Sequence, residues 1–381
     1  MDAFNTFKKA TVVTLAVSSL CVTHAASAVT PAQAQSRWYV NVGLEDYSVN
    51  TPTYRLPITF GGWTASNPPT PPPTNGGLGY NSANSTAGNT TWLPSIRFGY
   101  RLGNLSRLFP GYLDDESVEL AYAQFNRATK DSSSYSGATG VDAGAGYGVI
   151  WKIDDTSVPM YNFAAWRIEN SYVHASVHYH DVGVFVKANV RNLPSYLRSK
   201  VRLGVVGTSL DQFYAYDINA NAIGGSHLPS VYTTGDDSVR ARYIGLALGD
   251  ELELQIAPAF SLFADGNVQG LYAASFMTTN QIPDQLAAPN GGFADYRNNI
   301  RISNSSHTFT YRARVAGGLN FYPKLMANQS LVKISFYAGV DQWGYVPQPV
   351  TVSEFGAKSP HIEGQSMRNF FAGVNATIPI A

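Results

Sequence analysis

The sequence predicts an all-β protein: a transmembrane, antiparallel up-and-down β-barrel of about ten strands, with eight to twelve as the range. Three observations carry that reading. Apolar and milder side chains alternate with a period of two over stretches of ten to twenty residues, about ten times along the chain. A strand sends successive side chains to opposite faces, so each stretch has one apolar side. The connections between stretches alternate short and long, as they do when turns lie on one side of a membrane and loops on the other. The N-terminus has the pattern of a secretory leader.

In that leader, Lys8 and Lys9 supply the positive region, and Ala10 to Val22 form an apolar stretch of about thirteen residues. Ala26-Ser27-Ala28 or Ala32-Gln33-Ala34 offers the cleavage pattern, so a leader over residues 1–34 (cut after 28 or 34) and a barrel over 35–381 are expected. The apolar run is short for a membrane helix and is broken by Thr14, Ser18 and Ser19; no later stretch reaches about eighteen uninterrupted apolar residues. A spanning chain of this kind crosses with strands. Cys21, the sole cysteine, lies in the leader, and Ser18-Ser19-Leu20 lacks the small residue that a lipoprotein site places beside it. The mature chain would then have no disulfide and no thiolate metal site.

The first strand covers Arg37 to Val49, with Trp38, Val40, Val42 and Leu44 opposed to Tyr39, Asn41, Gly43 and Glu45. The second, Trp92 to Gly103, sets Ile96, Phe98, Tyr100 and Leu102 against Arg97, Gly99 and Arg101. The third, Glu116 to Lys130, sets Val118, Leu120 and Tyr122 against Glu119, Ala121 and Ala123. In the fourth, Tyr172 to Val190, the apolar residues change phase: Val173, Ala175, Val177 and Tyr179 are odd, Val182, Val184, Val186 and Ala188 even. A bulge near His180-Asp181 would absorb the slip, and a strand break is the alternative. The fifth begins cleanly with Val201, Leu203 and Val205 and then loses its pattern before Phe213.

The sixth and seventh form a hairpin about Ala257-Pro258. Ile244, Leu246, Leu248, Leu252, Leu254 and Ile256 oppose Gly245, Ala247, Glu251, Glu253 and Gln255, while Asp250 falls on the apolar face without a sequence-level reason. Phe260, Leu262, Ala264 and Val268 then oppose Ser261, Asp265, Asn267 and Gln269. The eighth strand sets Phe309, Tyr311, Ala313, Val315, Leu319 and Phe321 against Arg312, Arg314 and Asn320. The ninth sets Val332, Ile334, Phe336, Ala338 and Val340 against Lys333, Ser335, Tyr337 and Asp341. The tenth runs from Met367 to Ala381, with Phe370, Ala372, Val374, Ala376, Ile378 and Ile380 on its apolar face.

Long connections are expected at 50–91, 131–171, 214–237, 277–306 and 346–365, and short ones at 104–115, 191–198, 257–258 and 323–330. The first long one contains a Pro-rich run within 66–77, the second a Ser/Gly-rich stretch over 132–148, and 149–166 has room for a further hairpin.

Without the leader's Lys8, Lys9 and Asp2, 24 basic residues face 25 acidic ones, so no basic excess points to nucleic acid. Only 14% of residues are charged and 13% are aromatic, a balance that suits a lipid-facing surface ringed by aromatics. The charges that remain fall on the inner faces: Glu45, Arg97, Arg101, Glu119, Asp181, Lys187, Arg202, Glu251, Glu253, Asp265, Arg312, Arg314, Lys333 and Asp341. Two readings of this set stay open, a water-filled lumen that filters solutes and a lumen filled by paired charges.

His174, His178 and His180 share one strand face, and an ordinary hydrogen-bonding role outweighs a metal site because no second spaced ligand pair exists. Asp–His hydrolysis needs carboxylates converging from facing strands at the outer rim; Asp236 and Asp237 lie near such a rim, where acidic loop residues are common, and no nucleophile elbow or phosphate-cradling loop occurs. A non-enzyme without metal or cofactor is expected.

Tyr243-Ile-Gly-Leu-Ala-Leu-Gly followed by Ala259-Phe-Ser-Leu-Phe-Ala-Asp-Gly resembles the Legionella-type family of pore-forming outer-membrane proteins, as do Tyr179-His-Asp-Val-Gly-Val and Ala338-Gly-Val-Asp-Gln-Trp. The likeness covers about a third of the mature chain. It implies a porin-like role in a bacterial outer membrane and assigns no individual binding residue. One departure is the C-terminus, Ile378-Pro379-Ile380-Ala381, where many such barrels end in an aromatic residue. The functions to weigh are a small pore for passive passage of small solutes, an adhesin or receptor displaying long loops, and an outer-membrane hydrolase. The expected partners are outer-membrane lipid and lipopolysaccharide, the outer-membrane assembly machinery, and a host or environmental ligand at the loops.

Overall fold

The computed structural model describes residues 37–50, 54–60, 62–64, 79–83, 90–103, 113–134, 145–147, 166–222, 231–283, 286–287, 293–294, 300–323, 332–350 and 361–380. The leader, the Pro-rich run, most of the Ser/Gly-rich stretch and the candidate hairpin over 149–165 lie outside these residues.

Ten antiparallel strands form one closed ring. They are β1 Trp38–Ser48, β2 Thr90–Gly103, β3 Leu113–Ser134, β4 Trp166–Val190, β5 Leu197–Ala222, β6 Val231–Ala257, β7 Phe260–Pro283, β8 Ile300–Phe321, β9 Lys333–Val350 and β10 His361–Ile380. Each pairs with its sequence neighbours, and β1 closes the ring: Trp38 lies opposite Tyr100 on β2 and Ile380 on β10. Closure leaves no open edge along the belt, which a sheet in hydrocarbon requires. Among the described residues no helix is long and apolar enough to cross a membrane.

The short turns gather at one end. There the β4–β5 turn places Asn192 at φ 63°, a left-handed conformation that Asn tolerates better than most residues. Leu197 N–H donates to Pro194 O at 2.9 Å, and Gln255 N–H ties β6 to Tyr196 O at 2.8 Å.

The outer wall of the turn-end half is a belt of Leu, Ile, Val and Phe that no protein covers; Leu246, for example, is 65% exposed. An apolar band of this kind is stable against lipid and an aggregation hazard in water. Asp250 sits within the belt, and Ser199 on β5 donates to its carboxylate at 2.9 Å.

The bulge expected near His180-Asp181 is absent. Pairing runs unbroken there on both sides, with His180 opposite Gln124 and Ser209, and Val182 opposite Tyr122 and Gly207. From Val173 to Lys187 the side chains keep one phase, odd residues inward and even residues outward, and it is the chemistry that changes sides. Val182, Val184 and Val186 face out, whereas beyond them the outward residues are His180, His178 and His174 and the buried inward ones are Tyr179, Val177, Ala175 and Val173. Lipid bathes the lower outer wall and water the upper one, so the apolar face turns outward below and inward above. The same inversion explains the lost pattern on β5. Leu203 and Val205 face out in the belt, then Leu210, Tyr214 and Tyr216 are buried inward.

The strands also extend beyond the expected connections, reaching Ser134, Ala222, Pro283 and Val350 at the loop end. The upper barrel is therefore a walled extension where long loops were anticipated.

One seam interrupts that extension. Pairing of β8 with β9 ends at Arg312–Trp343, although β8 continues to Ile300 and β9 to Val350. Above a register shift at Trp343/Val346, β9 keeps pairing with β10, Pro347 opposite Gly364 and Pro349 opposite Ile362. A paired proline points its ring nitrogen away from its partner, so both prolines deny a donor to the β8 side. Val346, Pro347, Gln348 and Pro349 are all buried, whereas a wall strand would alternate. Gln212 on β5 donates to Pro347 O at 2.7 Å, and the Tyr243 hydroxyl on β6 to Tyr345 O at 3.1 Å. The upper β9 segment thus leans into the lumen.

Candidate functional site

Below that segment, in the turn-end half, the inward faces enclose a cavity of about 250 Å³. Glu45, Arg97, Arg101, Glu119, Asp181, Lys187, Arg202, Glu251, Asp265, Arg312, Arg314 and Lys333 line it. Of the fourteen charges read from the sequence, Glu253 and Asp341 stand outside this lining, the first near Lys333 and the second against Arg312. Lys200, which the sequence pattern did not single out, joins the lining.

Most of the lower carboxylates are held in pairs. Lys187 lies 2.6 Å from Glu119, which also accepts from the Tyr39 hydroxyl at 2.6 Å. Tyr39 reaches that position because Gly99 leaves room for its ring; a Cβ at Gly99 would stand 2.0 Å from Tyr39 Cζ. Lys333 pairs with Glu251 at 2.7 Å, and Ser261 donates to Glu253 at 2.6 Å. Arg202 pairs with Asp265, and Arg314 with Glu45, which also accepts from the Tyr337 hydroxyl at 3.0 Å.

The roof of the cavity is a buried cluster around Arg312 and Asp341, which are 2% and 0% exposed. Arg312 Nη2 lies 2.7 Å from Asp341 and Nε donates to it at 2.9 Å, while Nη1 reaches Asp181 at 3.1 Å. The Tyr47 hydroxyl donates to Asp341 at 2.8 Å and accepts from Asn369 at 2.9 Å. Two charges taken out of water hold their place only when their remaining hydrogen-bonding capacity is met, and here several donors converge on one carboxylate. The guanidinium carbon of Arg312 stands 4.4 Å from the Trp343 ring centroid, adding a cation–π contact.

Above the roof the lumen packs aromatic and aliphatic side chains beside buried polar ones such as Gln212 and Thr279, and the apolar cluster reaches down to Leu93 and Ala316 on the cavity wall. One cluster of buried residues draws on every strand: Tyr47 of β1, Leu93 of β2, Phe125 of β3, Tyr179 of β4, Leu210 of β5, Tyr243 of β6, Leu271 of β7, Ala316 of β8, Trp343 of β9 and Phe371 of β10. Phe125 and Tyr179 stack with centroids 5.0 Å apart, and Tyr243 meets Trp343 edge-on at 5.3 Å. The sequence reading missed these aromatics as a set. Their signal was present in the odd-numbered apolar residues of β4 that a bulge was invoked to explain.

The histidines face the outer surface, and His180 Nδ1 is 3.1 Å from the Tyr122 hydroxyl. Asp236 accepts from Asn280 at 2.9 Å, and Asp237 is buried. Among the described residues no three His, Cys, Asp or Glu side chains gather as a metal site.

No family model matches the chain, and no curated protein does. The structure is similar to solved outer-membrane barrels. The outer membrane protease OmpT from Escherichia coli aligns over 93% of this chain and 100% of that chain, at 10% identity and a TM-score of 0.39. A Pseudomonas aeruginosa FadL homologue aligns over 92% of each chain at 11% identity and a TM-score of 0.21. The CymD monoaromatic hydrocarbon channel covers 91% of this chain and 89% of that chain, at 10% identity and a TM-score of 0.28. At these values the likenesses carry no argument about activity. The closed ring with its apolar belt is that of an outer-membrane β-barrel, and the resemblance to the Legionella-type family extends no further than this coarser class. The expectation of a non-enzyme is corrected: a protease stands among the structural neighbours, so catalysis is not set aside.

Proposed function

We propose that this chain is an outer-membrane scaffold, exported by its N-terminal leader, whose lumen is shut at rest and whose walled extension presents a binding surface outside the cell. The observation that carries this reading is the apolar cluster to which all ten strands contribute, running from the upper wall of the charged cavity to the Tyr179–Trp343 contact across the lumen. A ten-stranded ring leaves little room once its inner face carries rings such as Tyr47, Phe125, Tyr179, Trp343 and Phe371. In this reading the turns face the periplasm, lipid and lipopolysaccharide surround the belt, and the ligand is met at the loop end, where variable function sits on a rigid frame. Single-channel conductance of the refolded mature protein in planar bilayers tests it. No discrete steps are expected, and steady steps from the unmodified protein would overturn it.

The second reading is a small porin-like pore for small solutes. The charged cavity favours it, because a lumen lined by Arg97, Lys187 and Glu251 holds water below the roof. Under this reading the unmodified protein conducts, and replacing Arg312 and Arg314 changes its ion preference.

A further inference from the structure

The pairing inside the cavity is unequal. Eight Lys and Arg side chains line it against five Asp and Glu, and just outside the lining Asp341 and Glu253 serve Arg312 and Lys333. Glu119 is taken by Lys187 and Tyr39, Asp265 by Arg202, Glu45 by Arg314 and Tyr337, and Asp181 by Arg312. Lys200 lies opposite Glu251 in register, but Glu251 is held by Lys333. Among the described residues Arg97 on β2 forms no ion pair of its own, and the carboxylates that act on it, Glu119 and Asp265, are held by Lys187 and Arg202. Arg101, two residues toward the turn end and exposed, has its guanidinium 5.9 Å from the Tyr39 ring centroid.

We propose that the cavity is a binding site for a small oxyanion, a phosphate or carboxylate group, held by Arg97 with Arg101 and Lys200 beside it. Arg97 shares its nearby carboxylates with other cations and has none of its own, and its planar fork of donors matches the oxygens of phosphate or carboxylate. The cavity's 250 Å³ equals about eight water volumes, room for one oxyanion with part of its hydration. Access is from the turn end, because the Arg312–Asp341 roof and the apolar cluster close the other side. The site is independent of whether the barrel conducts.

The test is calorimetric titration of the refolded full-length mature chain in detergent with inorganic phosphate, with chloride at equal ionic strength as the comparison. Saturable binding to the unmodified protein is expected. Arg97→Gln and, separately, Lys200→Gln should weaken it at least tenfold, while Arg240→Gln on the outer wall leaves it unchanged. Heat-modifiable gel mobility establishes that each variant is folded, and the Lys200 variant, on β5, carries the test if the Arg97 variant is not. Absence of saturable binding to the unmodified protein, equal affinity in a folded Arg97 or Lys200 variant, or the same binding by chloride would each overturn the proposal.

Discussion

Tyr179 and Trp343 meet across the barrel, their ring centroids 6.3 Å apart and their planes at 80°. They project from β4 and β9, which lie five strands apart in either direction around the ring. Two side chains thus bridge the full width of the lumen, and the Arg312 guanidinium is within cation–π reach of both rings, at 5.8 and 4.4 Å.

Removing that bridge should open a path. The double variant Tyr179→Ala/Trp343→Ala is expected to give discrete conductance steps in planar bilayers where the unmodified protein gives none. A folded double variant that stays silent would mean that the inward β9 segment closes the lumen without these rings.

Asp341 holds its place through Arg312 and Tyr47. Asp341→Ala should lower stability by about 3 kcal/mol, because it leaves the buried Arg312 with Asp181 as its sole carboxylate partner among the described residues. Arg312→Met/Asp341→Leu should recover most of that loss, since a packed apolar pair avoids the desolvation cost. Urea unfolding in lipid vesicles measures both, and a single variant within error of the parent would contradict the role.

The two halves of β6 face different solvents. Leu248→Arg, in the belt, is expected to cost about 2–4 kcal/mol on insertion, as for a basic residue near mid-bilayer. Arg240→Ala, outward on the upper wall, should stay within about 0.5 kcal/mol. Folding equilibria into phospholipid vesicles separate the two, and similar costs would misplace the membrane boundary.

Gly99 provides the seat for Tyr39. Gly99→Val should force that ring aside, break the 2.6 Å bond to Glu119, and cost about 1–3 kcal/mol as an overpacked site. The same vesicle assay measures it, and the parent's unfolding midpoint in the variant would show that the ring relocates freely.

The barrel class and the inward charges of β1, β2 and β6 were legible because each belt strand sees lipid on one side and lumen on the other, which writes a two-residue period directly into sequence. β4 and β5 were misread for the converse reason: they cross from lipid to water partway along. At that crossing the apolar residues change faces with no change in backbone register, so His180-Asp181 mimics a bulge. Nothing in a single strand's sequence states which solvent its outer face meets at a given height.

The sequence by itself determined the alternation, the belt and the choice of which charges face inward, since these follow from side-chain polarity at a fixed period. The tertiary structure alone decided which charges pair, because Arg314 reaches Glu45 and Arg202 reaches Asp265 across strands far apart in sequence. It also decided that buried side chains from all ten strands meet as one cluster within the lumen. That cluster depends on Tyr179 and Trp343 meeting across the ring, and the seam above it on Pro347 and Pro349 parting β9 from β8, relations that exist only once ten strands share one circumference.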